Sequence, residues 1–279
     1  LERDGVDNRD LAATAVVGAV GDMQDSDGEL HGANAALVED GVAAGSLAEA
    51  KDLAVYGKQT RPLPKLLEYA TDTYVPGISN SYSGAVEFLD GLAVECRDGD
   101  DEWKRWVDLT DDERQSVASA LVRHAVSRGV PASKIERLVA TTYTLTDEPE
   151  GTELRDASEF STLLNATARY DRADVGLAVC LGDRTGALET ARKLLRTHRR
   201  NLSEGLTWVK DNGVIDAGDL QWFDAGEEIR ATIVGIVAGM SMGVDGVDRA
   251  KPVIAFARES DEETKVSSRG TGALVRQGL

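Results

Sequence analysis

The feature that most constrains this chain is a run of small apolar residues near its start. Residues 10–21 read Asp-Leu-Ala-Ala-Thr-Ala-Val-Val-Gly-Ala-Val-Gly, with no charge after the first position. Such a run is too apolar for a surface element and falls short of the ~20 residues that cross a bilayer. It is predicted to be a buried helix with Asn8 or Asp10 as its N-cap. Hydrophobic residues make up 42% of the chain and aromatics only 5%, so the core must be built from Ala, Val and Leu. With 279 residues there is material for two ordinary domains or one large one. No segment reads as a membrane span or a signal peptide. Two cysteines, Cys96 and Cys180, cannot make a disulfide framework and read as small core residues of a reducing, cytoplasmic compartment.

Charge narrows the setting. The 49 acidic and 31 basic residues give a net charge of −18, and the basic residues divide into 9 Lys and 22 Arg. An acidic, lysine-poor surface stays hydrated in concentrated salt, where self-repulsion is screened. The expected source is a salt-loving microbe. The same acidity argues against broad polyanion binding, so any nucleic-acid site must be a local basic pocket. The chain opens at Leu1-Glu2-Arg3 and stops at Gly278-Leu279 without a solvated tail, which is expected of a piece of a longer protein.

Helices and strands are mixed, so the predicted class is α/β in two lobes. Gly57 to Pro64 form a turn-rich joint carrying Lys58 and Arg61, with Lys65 just beyond. These cations could contact phosphate or pair with nearby carboxylates. Residues 97–102 form a solvated acidic loop whose spacing does not fit a calcium loop. Thr110-Asp-Asp-Glu113 is a capping box opening a helix to Arg128, and a second helix is expected from Ser133 to Ala140. His124 reads as a half-buried helix residue. The acidic loop 146–152 is the expected domain boundary, giving segments 1–94, 95–150 (a helical module) and 151–279. Beyond it, 156–168 and 187–212 are predicted helices. Val175 to Leu181, Ile229 to Ala238, Pro252 to Ala257 and Thr264 to Ser268 are predicted strands.

No residue set completes an active site by itself. His31, His124 and His198 lie far apart, and there is no zinc-type Cys pair, Walker loop or Gly-x-Ser-x-Gly. Asp22, released by Gly21 directly after the buried run, belongs either at the lip of a cleft or simply at a solvated helix end. Arg192, Lys193, Arg196, Arg199 and Arg200, with His198, make a dense basic segment over the stripe Leu188, Ala191, Leu195, Leu202 and Leu206. It is either a phosphate-facing ridge or a surface helix paired with Glu189 and Glu204. Ser267-Ser-Arg-Gly-Thr-Gly272, at the end of a predicted strand, suits an oxyanion, because glycines admit backbone N–H groups and a guanidinium offers a planar fork. An ordinary polar turn is the alternative.

Taken together, these segments resemble a known family. Val17-Gly-Ala-Val-Gly-Asp22 resembles the last metal-ligand motif of the DHH phosphoesterases. Val253-Ile-Ala-Phe-Ala257, followed by Lys265-Val-Ser-Ser-Arg-Gly-Thr271, resembles the core of the DHH-associated C-terminal domain. Asp156 to Ala166 with Arg169, then Val175 to Asp183, is similar to the archaeal RecJ-like single-strand exonucleases. The resemblance is weakest over residues 95–145. It implies a phosphodiesterase with two Mn2+ (or Mg2+) ions acting on single-stranded DNA or RNA. By carry-over Asp22 is a metal ligand and catalytic residue, Ser268 and Arg269 contact phosphate, and Asn165 and Arg169 sit near the cleft. No adjacent His pair occurs in the sequence, so most ligands are expected in a preceding segment and this piece alone is expected to be nearly inactive. Two other expectations stand beside this one: a replication-helicase-associated scaffold that kept the fold without the chemistry, and a phosphodiesterase for short oligonucleotides or cyclic dinucleotides.

Overall fold

The computed structural model describes residues 7–70 and 73–276; the Leu1-Glu2-Arg3 opening and the Gly278-Leu279 end lie outside them. The chain divides into two compact units, Leu1–Leu163 and Leu164–Leu279. The division falls inside a helix and not in the acidic loop 146–152.

In the first unit the small-apolar run forms α1 (Ala12–Gly21), preceded by a short 3-10 turn at Arg9–Leu11. Ala12, Ala13, Val16, Val17 and Ala19 are buried, as the composition requires. The expected N-cap bond is not made: Asn8 caps only the 3-10 turn, and without its side chain. Next comes α2 (Ala33–Ala44), which ends at Gly45 in the left-handed conformation. β1 (Leu47–Leu53) follows, then α3 (Leu63–Glu68), α4 (Tyr82–Asp90), α5 (Asp111–Ser127) and α6 (Ala132–Ile135). Thr110 and Glu113 form the predicted capping box at the start of α5. The expected second helix stops at Ile135, because β2 (Val139–Leu145) begins there and pairs antiparallel with β1 from Leu47↔Leu145 to Leu53↔Val139. Thr141, Thr142 and Thr144 suit a strand, whereas Leu-Ala-Glu-Ala-Lys-Asp-Leu of β1 has no β-branched residue and is extended because β2 holds it. Leu53, Leu63, Leu66, Leu67, Ile78, Leu89, Trp106, Val117, Leu121 and Leu138 form one packed core. Cys96 is buried among them.

α7 (Ala157–Arg169) crosses the division between the units. The second unit continues with α8 (Ala173–Cys180), α9 (Gly186–Asn212), β3 (Ile215–Asp216), β4 (Gln221–Asp224), α10 (Ala231–Ser241), β5 (Val253–Arg258), β6 (Thr264–Arg269) and α11 (Gly272–Arg276). Its four strands lie in the order β3-β4-β5-β6, with β4 and β5 parallel and the other pairs antiparallel. Two of the predicted strands are helices. In α8, Val175, Gly176 and Val179 are buried while Leu177 is exposed, a one-sided pattern of helical period. In α10 the buried residues Ile233, Val234, Val237, Ala238 and Ser241 also repeat with helical spacing. Parallel β4 and β5 require a crossover connection, and α10 supplies it. Ile229, Ile233, Val234 and Val237 pack with Val209, Phe223, Val253, Ala255 and Ala257 into the core of this unit. The class predicted from the sequence, mixed α/β, is the class observed.

Candidate functional site

Two groups of polar residues stand out, one in each unit. In the first unit, α1 ends at Asp22, whose backbone N–H caps the helix by donating to Gly18. The Asp22 carboxylate is exposed and accepts a hydrogen bond from Gln24 Nε2 at 2.9 Å. Met23, at φ +59°, turns the chain back. Beside this turn lies a cavity of about 250 Å³ lined by Val20, Met23, Asp25, Tyr56, Thr141 and Asp156 among others. Asp22 is not among its lining residues; Asp25, three positions on, is. Burial raises the Asp25 carboxyl above its ordinary value, with Asp27 adding in the same direction.

Behind the cavity the Gly57–Pro64 joint is tied down by carboxylates. Lys58, 5% exposed, places Nζ 3.0 Å from Asp52 and 3.7 Å from Asp156. Trp106 Nε1 donates to Asp52 at 3.1 Å. Asp156 caps α7 by accepting from the backbone of Ser158 and Glu159. Glu159, fully buried, accepts from Gln59 N at 2.8 Å and Thr60 Oγ1 at 2.5 Å. Burial pushes its carboxyl up to about 7, although both hydrogen bonds and Arg61 act in the opposite sense. Lys65 pairs with Glu68 at 2.7 Å. Lys58 and Lys65 thus pair with carboxylates, while Arg61 lies over the rings of Tyr56 and Tyr69.

In the second unit, α10 gathers two of the sequence-predicted contacts. Arg169, exposed at the end of α7, donates from Nη1 to Thr232 O at 3.3 Å. Arg269, at the end of β6, lies against the other half of the same helix face: an added Cβ at Gly235 would stand 2.6 Å from its Nη2, and one at Gly239 3.8 Å from its Cδ. Thr232, Gly235 and Gly239 are spaced three and four apart and so share one side of α10. Ser268 and Arg269 do not form a turn after the strand; both belong to β6, where side chains alternate between faces. The hydroxyl on the α10 face beside Arg269 is therefore that of Ser267, whose Oγ would be 2.4 Å from a Cβ at Gly235. Ser268, opposite Ile254, points to the other face and gives its carbonyl to Arg269 Nη1 at 2.8 Å. Asn165 is exposed on α7, one turn before Arg169.

The basic segment of α9 divides. Leu188, Ala191, Leu195 and also His198 are buried, while Arg200 pairs with Glu204 at 3.8 Å. His124 is the half-buried helix residue expected, with Nε2 3.0 Å from Pro76 O. Among the described residues no three His, Cys, Asp or Glu side chains converge as a metal site. Both cysteines are free, Cys96 buried and Cys180 partly so. No described helix is long and apolar enough to cross a membrane.

These features define a mixed α/β protein with an arginine-lined helix face in one unit and a carboxylate-edged cavity in the other. Residues 55–139 match the family model described as the DHH-CID domain. The matched stretch runs from just after β1, through α3 to α6, to the start of β2, and it includes most of the 95–145 segment where the resemblance was weakest. An uncharacterized protein of Methanocaldococcus jannaschii is 28% identical over 270 residues, covering 97% of this chain and 54% of its own length. The chain thus spans about half the length of the curated relative it matches.

Proposed function

We propose that this chain is part of a metal-dependent phosphodiesterase that degrades single-stranded DNA or RNA, in the manner of the RecJ-like exonucleases. The match of residues 55–139 to the DHH-CID domain carries the reading. The second unit supports the substrate side: Arg169 and Arg269 on one face of α10 present two guanidinium forks to a phosphate backbone, with Ser267 beside them. Asn165, one turn before Arg169, is assigned a neighbouring contact, and Ser268 a contact from the opposite face of β6. In the first unit Asp22 is assigned as a ligand of Mn2+ or Mg2+, with the remaining ligands assigned to the part of the relative's length that this chain does not span. Bound there, the ions would activate water and stabilise the leaving oxygen. The acidic, lysine-poor composition supports a haloarchaeal, cytoplasmic setting.

The test uses the longer protein with Mn2+, offered a long single strand, a duplex and a dinucleotide. Preferential degradation of the single strand is expected. Asp22→Asn should lower metal occupancy and turnover more than strand affinity. Arg269→Ala should do the reverse at fixed salt, because phosphate contacts are salt-dependent. Strand or helicase-component binding without turnover would assign the protein as a scaffold, and turnover of the dinucleotide alone would assign a small-substrate enzyme.

A further inference from the structure

His198 is only 8% exposed, and its Nδ1 is buried without a hydrogen-bond partner. Among the described residues it shares that condition with one other buried side-chain atom, Oγ1 of Thr232. A buried polar atom left unpaired costs about 1–3 kcal/mol, so two in one unit call for a missing partner. Both have Arg169 as a neighbour. Its guanidinium donates to the Thr232 carbonyl, and its charge acts on the His198 imidazole.

The surroundings are cationic in a chain that is otherwise acidic. Tyr170 stands edge-on to His198, with ring centroids 5.9 Å apart, and Arg230 covers the Tyr170 ring at 5.0 Å. Asn201 donates to the Tyr170 hydroxyl at 2.8 Å, which fixes the ring. Arg199 also acts on His198, and Arg200 and Glu204 face Tyr170. The charged groups are thus four arginines and one glutamate. Desolvation is the first reason the imidazole resists a proton, and Arg169 and Arg199 add to it. A neutral imidazole, a hydroxyl and two guanidiniums offer donors that lack only an acceptor with several oxygens.

We infer that His198, Thr232, Arg169 and Arg230 form a phosphate-binding site on the second unit, in which Nδ1 of His198 and the Thr232 hydroxyl serve the bound oxyanion. A bound dianion offsets the guanidinium charge and draws a proton onto the imidazole, so both orphan atoms become donors to its oxygens. The site shares Arg169 with the strand-binding face proposed above and deepens that reading, but it is tested apart from it, because it binds phosphate or fails to whether or not the longer protein degrades a strand.

The experiment follows the imidazole nitrogens by long-range 1H–15N NMR while inorganic phosphate is added to this chain at constant ionic strength. The His198 signals, identified by their loss in His198→Gln, should move saturably toward the protonated form, while those of His31 and His124 stay in place. Arg169→Gln should weaken phosphate binding by about tenfold or more, the size of one lost charge-assisted hydrogen bond. Thr232→Val should weaken it severalfold with no loss of melting temperature, and Thr232→Ser should restore it; this pair decides the matter if His198→Gln does not fold. Competition by a single-stranded dinucleotide would identify a phosphodiester as the occupant, and its failure to compete would identify free phosphate. His198 signals that ignore phosphate, or equal affinity in Thr232→Val, would overturn the assignment.

Discussion

Two glycines of this chain are small for different reasons. At Gly84, in α4, a Cβ would lie 1.9 Å from the backbone oxygen of Gly77, an atom that cannot move without the Pro76-Gly77 turn. Gly84→Ala is expected to destabilise the protein by about 3 kcal/mol or more, read as a drop in the denaturation midpoint. At Gly235 the atoms in the way are the ends of Ser267 and Arg269, which can swing aside. Gly235→Ala should therefore change stability by less than about 1 kcal/mol, yet displace the guanidinium and weaken single-strand binding by roughly threefold to tenfold. Equal strand affinity for Gly235→Ala and the parent would remove Arg269 from the binding face. The sequence made Arg269 visible through its hydroxyl and glycine neighbours, but the face it uses follows from strand alternation. That alternation substitutes Ser267 for Ser268 as the hydroxyl beside it.

At the scale of elements, the start of α7 shows how a local signal was diverted. Asp156-Ala-Ser-Glu159 has the form of a capping box, and Asp156 caps the helix as that form requires. Glu159 instead turns to the 57–60 joint and holds Gln59 N and Thr60 Oγ1. Its carboxyl lies at about 7 against an ordinary 4.5, so the folded state binds its proton more tightly than the unfolded chain does. The favourable contribution is therefore full below pH 4.5 and is lost as pH rises through about 7, by roughly 3 kcal/mol in total. In Glu159→Gln the amide oxygen can accept from Gln59 N while the amide N–H donates to the Thr60 hydroxyl. Melting of the parent and Glu159→Gln across pH 4 to 8 should show the variant gaining relative stability as pH rises; parallel curves would show that Glu159 does not titrate in this window.

For the whole molecule the net charge of −18 predicts a salt response. Raising KCl from about 0.1 M to about 1 M shortens the screening length from about 10 Å to about 3 Å, so self-repulsion should fall and the melting temperature should rise and then level off. A melting temperature that falls over that range would contradict the salt-loving reading. The features that the sequence alone determined are those written within a few residues: burial of the small-apolar run in α1, the Thr110–Glu113 cap, the long α9, the strands β5 and β6, and the mixed class. Tertiary structure decided the rest. A seven-residue apolar run such as Val175 to Leu181 carries no period that separates a buried strand from a buried helix, and β1 is extended only because β2, some ninety residues away, pairs with it. The candidate site divides in the same way. Asp22, Arg169 and Arg269 were legible as residue types in a suggestive order. Only packing brings the two arginines, a hundred residues apart, to one side of α10, and only packing leaves His198 Nδ1 and Thr232 Oγ1 buried without hydrogen-bond partners, because burial and pairing depend on neighbours that no local stretch of sequence contains.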